Sequence, residues 1–247
     1  MFRIMMCHAN ILQITKCLLI AALVPFLAVG GPVHGQDDKD PHRPACTSAR
    51  CQKAKSFVKA HYCGAPQGNG PDDSCEIRRP HRPGTDVKAL ASFECGWTEG
   101  VRKCQQHGQP SPSGRSILID ELHRLGLPAK ATGQIYFTEW ESASSGWSLA
   151  SADYDHRTGT DLTLCEVIVI IDQNSQVHVL RKVPFQKADA EKNTVTTWSP
   201  IDLADADGDG HLDVILEGDS YEDHWLEVDS VQNGSSHTIF SGLGYYL

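Results

Sequence analysis

The spacing of the cysteines is the feature that most constrains how this chain can fold. Six of the nine cysteines lie between residues 46 and 104. In an exported chain, such clustering is typical of disulfide bonds. No pair has the C-x-x-C spacing that structural zinc sites favour, so disulfides are preferred over zinc. Several connectivities fit the sequence, and we prefer the one that pairs sequence neighbours and leaves a buried free thiol at Cys165: Cys46 with Cys51, Cys63 with Cys75, and Cys95 with Cys104.

The first 35 residues predict that the chain is exported. Their only charges are Arg3 and Lys16, and a short apolar run, Cys17–Val29, follows. This run is too short to span a membrane, and its length is typical of the apolar part of a signal peptide. We place the cleavage after Gly35 rather than after Gly30. The predicted location is therefore secreted, periplasmic or in the cell envelope, with no membrane span once the signal is removed.

The rest of the chain is predicted to be a polar linker, residues 36–45, followed by a single domain, residues 46–247. Residues 46–128 form a cysteine-rich part with two stretches of helical periodicity, one after Ser48 and one after Ser113. Residues 129–247 are rich in β-branched and aromatic residues and form the β-rich part. Strands are expected at Val87–Cys95, Gly133–Trp140, Leu162–Asp172, Val177–Pro184, Leu212–Gly218, His224–Val231 and Ser236–Phe240.

This order of elements predicts an α+β fold. Two helices in the N-terminal half would pack on a mainly antiparallel β-sheet, and disulfides would tie the cysteine-rich part together.

The distribution of charge excludes one class of partner and suggests another. Removal of residues 1–35 takes away two basic residues and no acidic ones, so the net charge falls from −9 to −11. Residues 193–247 contain 11 acidic residues and neither lysine nor arginine. A chain with this balance is not expected to bind nucleic acid. A folded segment with so many carboxylates would instead be stabilised by a bound cation.

A candidate cation site lies within this acidic segment. Four aspartates occupy positions 1, 3, 5 and 9 of a D-x-D-x-D-G-x-x-D loop, and Gly210 stands at position 6, where the chain must turn sharply. Alternate side chains of such a loop point inward and supply oxygen ligands, which select a hard cation such as Ca²⁺ over zinc or copper. The alternative is a solvated polar turn. The predicted calcium ligands are Asp205, Asp207, Asp209 and Asp213 through their carboxylates and His211 through its backbone carbonyl.

The loop and its apolar flanks, from Trp198 to Gly218, resemble the calcium-binding repeat of integrin α-like propellers, called FG-GAP or VCBS repeats. That resemblance implies a calcium loop between two strands. The chain contains one copy, so a propeller is not implied. The loop departs from an EF-hand because position 12 is Leu216 rather than a bidentate glutamate. Asp202 would cap the loop or support its ligands.

A binding or structural role is favoured over catalysis. The sequence contains no G-x-S-x-G, H-E-x-x-H or P-loop motif. One alternative is an exported hydrolase-like enzyme with a structural calcium ion, and its best acid/base cluster would be Glu222, Asp223 and His224. Another is a carbohydrate-binding module that uses exposed tryptophan, with Trp147 as the best candidate. The expected partners are a calcium ion and an extracellular protein or glycan.

Overall fold

The structure, a computed structural model, describes most of the predicted domain. The predicted signal peptide (1–35) and linker (36–45) lie outside the described residues. In the described part, no helix is long and apolar enough to cross a membrane. The described residues are 46–64, 75–77, 87–98, 101–143, 146–159, 161–189, 195–220, 223–232 and 235–246.

Both predicted helices are present. Helix α1 (Ala49–Tyr62) is capped by Ser48, whose hydroxyl accepts a hydrogen bond from the Cys51 N–H at 3.1 Å. Helix α2 (Pro112–Arg124) is capped by Ser111 and has proline in its first turn. Each helix buries one stripe of side chains, as its apolar spacing predicts. The stripes are Cys51, Ala54, Val58 and Tyr62 in α1, and Gly114, Leu118 and Leu122 in α2.

Ten strands form two antiparallel sheets in the described residues. The six-stranded first sheet has the order β2-β1-β3-β4-β5-β6, and the four-stranded second sheet has the order β10-β9-β8-β7. The strands are β1 (Val87–Thr98), β2 (Val101–Gly108), β3 (Gln134–Ser142), β4 (Ser148–Thr158), β5 (Asp161–Ile171), β6 (Val177–Asp189), β7 (Thr197–Ala204), β8 (Asp213–Asp219), β9 (Asp223–Gln232) and β10 (Ser235–Tyr246).

The α+β prediction is therefore wrong, because the described chain is mostly antiparallel β-structure. Strands β2 and β4 were not predicted, and β7 was implied only by the resemblance of the loop to a repeat that joins two strands. The segment around Cys95 and Cys104, within the predicted helical part, is a β-hairpin in which these two residues lie directly opposite each other. The two helices cover sheet faces and do not make up half of the architecture.

The packing produces four layers. Helix α2 packs on the first sheet and shares a core with β4 and β5. Helix α1 packs on the second sheet and contacts β10. The inner faces of the two sheets share a third core, which contains Trp140, Leu149, Ile168, Ile170 and Leu180 from the first sheet and Leu203, Val214 and Leu216 from the second.

The predicted disulfide set is confirmed. Cys46 bonds to Cys51, Cys63 to Cys75, and Cys95 to Cys104. Cys165 is a fully buried free thiol on β5. Pairing of sequence neighbours is the outcome expected when cysteines flank short turns or a helix start.

Candidate metal site between β7 and β8

The acidic loop, residues 205–212, connects β7 to β8 in the second sheet. Strands β7 and β8 pair so that Ala204 lies opposite Asp213. The loop therefore begins and ends at the same level of the sheet. This register brings the first predicted ligand, Asp205, back towards the last, Asp213.

Three of the predicted ligands come together in this loop. One carboxylate oxygen from each of Asp205, Asp207 and Asp209 lies within 4.8 Å of the others. Asp207 is buried, whereas Asp205 and Asp209 are exposed. A cluster of oxygen atoms this close together could hold a metal ion.

Backbone hydrogen bonds fix the positions of these carboxylates. Asp207 Oδ1 accepts the Asp209 N–H at 3.0 Å, Asp209 Oδ1 accepts the His211 N–H at 2.9 Å, and Asp205 Oδ2 accepts the Gly210 N–H at 3.0 Å. Gly208 and Gly210 have φ angles of 74° and 88°, which side chains with a Cβ rarely adopt. The loop thus has a defined shape that needs glycine at both positions.

Asp213 lies fully buried at the end of the loop. Its Oδ2 accepts the Ala206 N–H at 3.0 Å, but its Oδ1 has no hydrogen-bond partner among the described residues. Burial raises the pKa of Asp213 to about 7, and the negative charge of Asp207 contributes to the increase. An unpartnered buried carboxylate oxygen is costly, and a cation is one of the few groups that would satisfy it.

His211 is exposed in the same loop. Its backbone N–H donates to Asp209, as described above. The ligand role predicted for its carbonyl remains a prediction.

A basic residue that no sequence motif indicates also contacts the loop. Arg50, in the first turn of α1, donates from Nε to Asp207 Oδ2 at 2.5 Å and from Nη2 to Asp209 Oδ2 at 2.8 Å. The hydrogen bond to Asp207 raises the pKa of Arg50 above its ordinary value. Gln232 also donates to Asp209 Oδ2, at 3.1 Å. The loop carboxylates therefore already have one positively charged partner.

Asp202 contacts α1. It is buried on β7, and its Oδ2 accepts a hydrogen bond from the Tyr62 hydroxyl at 2.8 Å. Burial and the negative charge of Asp202 raise the pKa of Tyr62. This contact fixes the C-terminal end of α1 on the second sheet, while Arg50 joins its N-terminal end to the loop.

The predicted acid/base cluster lies at the start of β9, where His224 faces two carboxylates of β8. Glu222 lies outside the described residues. His224 Nδ1 lies 3.7 Å from Glu217 Oε1 and 3.6 Å from Asp219 Oδ2. The Glu217 carboxylate and the nearby charges of Asp219 and Asp223 raise the pKa of His224. A raised pKa favours the protonated histidine, whose positive charge balances that of these carboxylates.

The four tryptophans whose side chains the structure describes do not form an exposed surface of the kind that binds sugar rings. Trp147 is half-buried against the core between the sheets, so the expectation that it is exposed is wrong. Trp198 is also half-buried there, whereas Trp140 and Trp225 are buried. The described aromatic side chains thus contribute mainly to the core.

The chain matches no protein-family model, and neither a curated protein nor a solved structure matches it. The resemblance of the loop to FG-GAP or VCBS repeats accordingly remains a prediction from the sequence motif. The case for a cation site depends on the geometry of the loop itself.

Proposed function

We propose that the protein is an exported calcium-binding protein in which one Ca²⁺ stabilises the β7–β8 loop, and that its role is structural or in binding an extracellular protein or glycan. The observation that carries this proposal is Oδ1 of Asp213, which is fully buried and has no hydrogen-bond partner among the described residues, at the end of the loop in which three carboxylates cluster. We infer that Asp213 Oδ1 is a ligand of the cation.

The chemistry of the ligands favours calcium. The loop offers carboxylate and backbone oxygen atoms, which bind hard cations. Its four carboxylates are opposed by one guanidinium, so a divalent cation would reduce the remaining negative charge. Calcium accepts six to eight oxygen ligands in a flexible arrangement, which suits a loop of this kind.

Export is supported by the disulfides and by the N-terminal sequence. Three disulfides are typical of a protein that folds outside the reducing cytosol. The apolar run at the N-terminus has the length of a signal peptide. We infer that the mature protein is secreted or resides in the periplasm or cell envelope, where calcium is accessible.

Thermal unfolding with calcium or with a chelator tests the proposal. Binding to the folded state alone contributes about 2.7 kcal/mol at a hundredfold excess of calcium over Kd, so the Tm should rise with calcium. Asp213→Asn keeps an oxygen for the Ala206 N–H but removes the charge, and it should abolish most of this increase. Asp120→Asn is the matched control, because Asp120 is exposed on α2. A wild-type Tm that does not change between calcium and chelator would overturn the proposal.

A further inference from the structure

We propose that Arg50 competes with the divalent cation for Asp207 and Asp209, so that cation binding is linked to the attachment of the N-terminal turn of α1. This inference rests on the proposed function of the loop. It assigns Arg50 a regulatory role that the loop motif alone does not contain.

The competition follows from how the carboxylate oxygens are used. Oδ1 of Asp207 and Oδ1 of Asp209 each accept a backbone N–H within the loop. Arg50 occupies the other oxygen of each residue, Oδ2. Oδ2 is thus the oxygen of each aspartate that no loop N–H uses, and a cation that binds it must share it with the guanidinium.

A separate observation, on Asp213, supports a cation ligand at the end of the loop. Asp213 Oδ1 is fully buried and has no hydrogen-bond partner in the described part of the chain. The other oxygen of the same carboxylate accepts the Ala206 N–H, so the carboxylate lies against the loop. Arg50 donates its hydrogen bonds to Asp207, Asp209 and Ser230 rather than to Asp213, so a cation held by Asp213 would lie near the guanidinium and be repelled by it.

Arg50 is able to leave the loop. Its side chain is 42 % exposed, whereas that of Asp207 is fully buried. The guanidinium could turn into water with little loss of packing, but the carboxylate could not. Lys53, one turn later in α1, also approaches the loop, with Nζ 3.7 Å from the position of a Cβ on Gly208. Helix α1 thus brings the Arg50 guanidinium to two of the candidate ligands and a second positive charge close to Gly208 of the same loop.

Thermodynamic linkage gives two consequences. If the cation weakens the contact of Arg50 with the aspartates, then removal of Arg50 must strengthen cation binding, because the coupling free energy is the same in both directions. The cation must also loosen the first turn of α1, because Arg50 is the residue that attaches this turn to Asp207, Asp209 and Ser230.

Calorimetric titration of the purified protein with CaCl₂ measures the first consequence. Arg50→Gln should bind calcium about tenfold more tightly than wild type, a modest effect because solvent screens a partly exposed charge. Arg124→Gln is the matched control: it also removes one arginine, from an exposed ion pair with Glu121 on α2, and its Kd should equal that of wild type.

Hydrogen exchange of wild type, with and without calcium, measures the second consequence and requires no variant. Amides of residues 49–55 should exchange faster with calcium, while those of β5 should not change.

An Arg50→Gln affinity within twofold of wild type or weaker, or unchanged exchange in α1, overturns the inference and leaves the proposed function intact. Absence of calcium binding in wild type and in Arg50→Gln overturns the proposed function. If Arg50→Gln binds calcium and wild type does not, the result supports the competition but overturns the proposal that the native chain binds calcium.

Discussion

Arg181 and Asp229 connect the two sheets: Nη2 of Arg181, on β6, donates to Oδ1 of Asp229, on β9, at 3.0 Å. Asp229 is fully buried, and burial raises its pKa even beside this guanidinium. Arg181 also contacts Glu227 on β9 and lies over the ring of Trp198. One arginine thus balances two carboxylates of the second sheet.

Replacement of Arg181 should therefore destabilise the fold. Arg181→Met leaves two carboxylates largely buried without their cation, which costs about 3 kcal/mol. Urea denaturation measures the loss. Arg124→Met, which breaks an exposed ion pair, should change the free energy of unfolding by less than about 1 kcal/mol. Equal stability of the two variants would contradict a role for Arg181 in joining the sheets.

Magnesium should replace calcium poorly. Mg²⁺ requires strict octahedral geometry and gives up its water molecules reluctantly, whereas the loop offers several carboxylates in one cluster. At equal concentrations, the increase in Tm with MgCl₂ should be well below that with CaCl₂. A larger increase with magnesium would indicate a smaller, more regular site than the one we propose.

His224 should make stability depend on pH. Its pKa is raised in the folded protein above the ordinary value of 6.5 by Glu217 and its acidic neighbours. The protonated histidine therefore stabilises the fold fully below pH 6.5, and this contribution is lost as the pH rises through the folded pKa.

Denaturant unfolding of wild type and His224→Gln between pH 5.5 and pH 8.5 checks this prediction. Wild type should exceed the variant in stability at the acidic end, and the difference should shrink towards the alkaline end. A difference that grows with pH would show that the histidine is stabilising in its neutral form.

Cys165 should resist alkylation in the native protein. It is fully buried, and burial raises the pKa of its thiol to about 12, so the reactive thiolate is scarce at neutral pH. Mass spectrometry after iodoacetamide treatment should show no label on the native chain. After denaturation without reductant, the chain that lacks residues 1–35 should carry one label. Three or more labels would contradict the disulfide set.

The parts of the fold that were predicted correctly depend on local sequence. Both helices carry a serine cap and a single apolar stripe, and the disulfides join near neighbours. These signals act over a few residues and need no knowledge of the rest of the chain.

Strands β2, β4 and β7 lack such local signals. Strands β2 and β7 form edges of the two sheets, where polar residues and proline are tolerated; Pro200 lies within β7. Strand β4 lies inside the first sheet, and its small residues Ala150, Ser151 and Ala152 are buried on both faces. Burial on both faces removes the alternation that marks a half-buried strand. Because β2 and β4 are absent from the predicted fold, the two helices make up a larger share of it than of the structure.

Only the local part of the candidate site could be predicted from the sequence. The spacing of Asp205, Asp207 and Asp209 lies within one loop and can be read from the sequence. Arg50 lies 157 residues before Asp207, so only the packing of α1 on the second sheet brings them together. No sequence pattern links the two residues.

The three disulfides each close a short segment, with separations of 5, 12 and 9 residues. None of them joins one sheet to the other. Short closed loops restrict the unfolded chain less than long ones do. In the described residues, the two sheets are instead joined by the apolar core between them, by Arg181 and by the hydrogen bond that the Trp198 N–H donates to Glu166 Oε1. A reductant should consequently loosen the ends of α1 and the β1–β2 hairpin before it separates the layers, and the chain could assemble its sandwich before its thiols are oxidised.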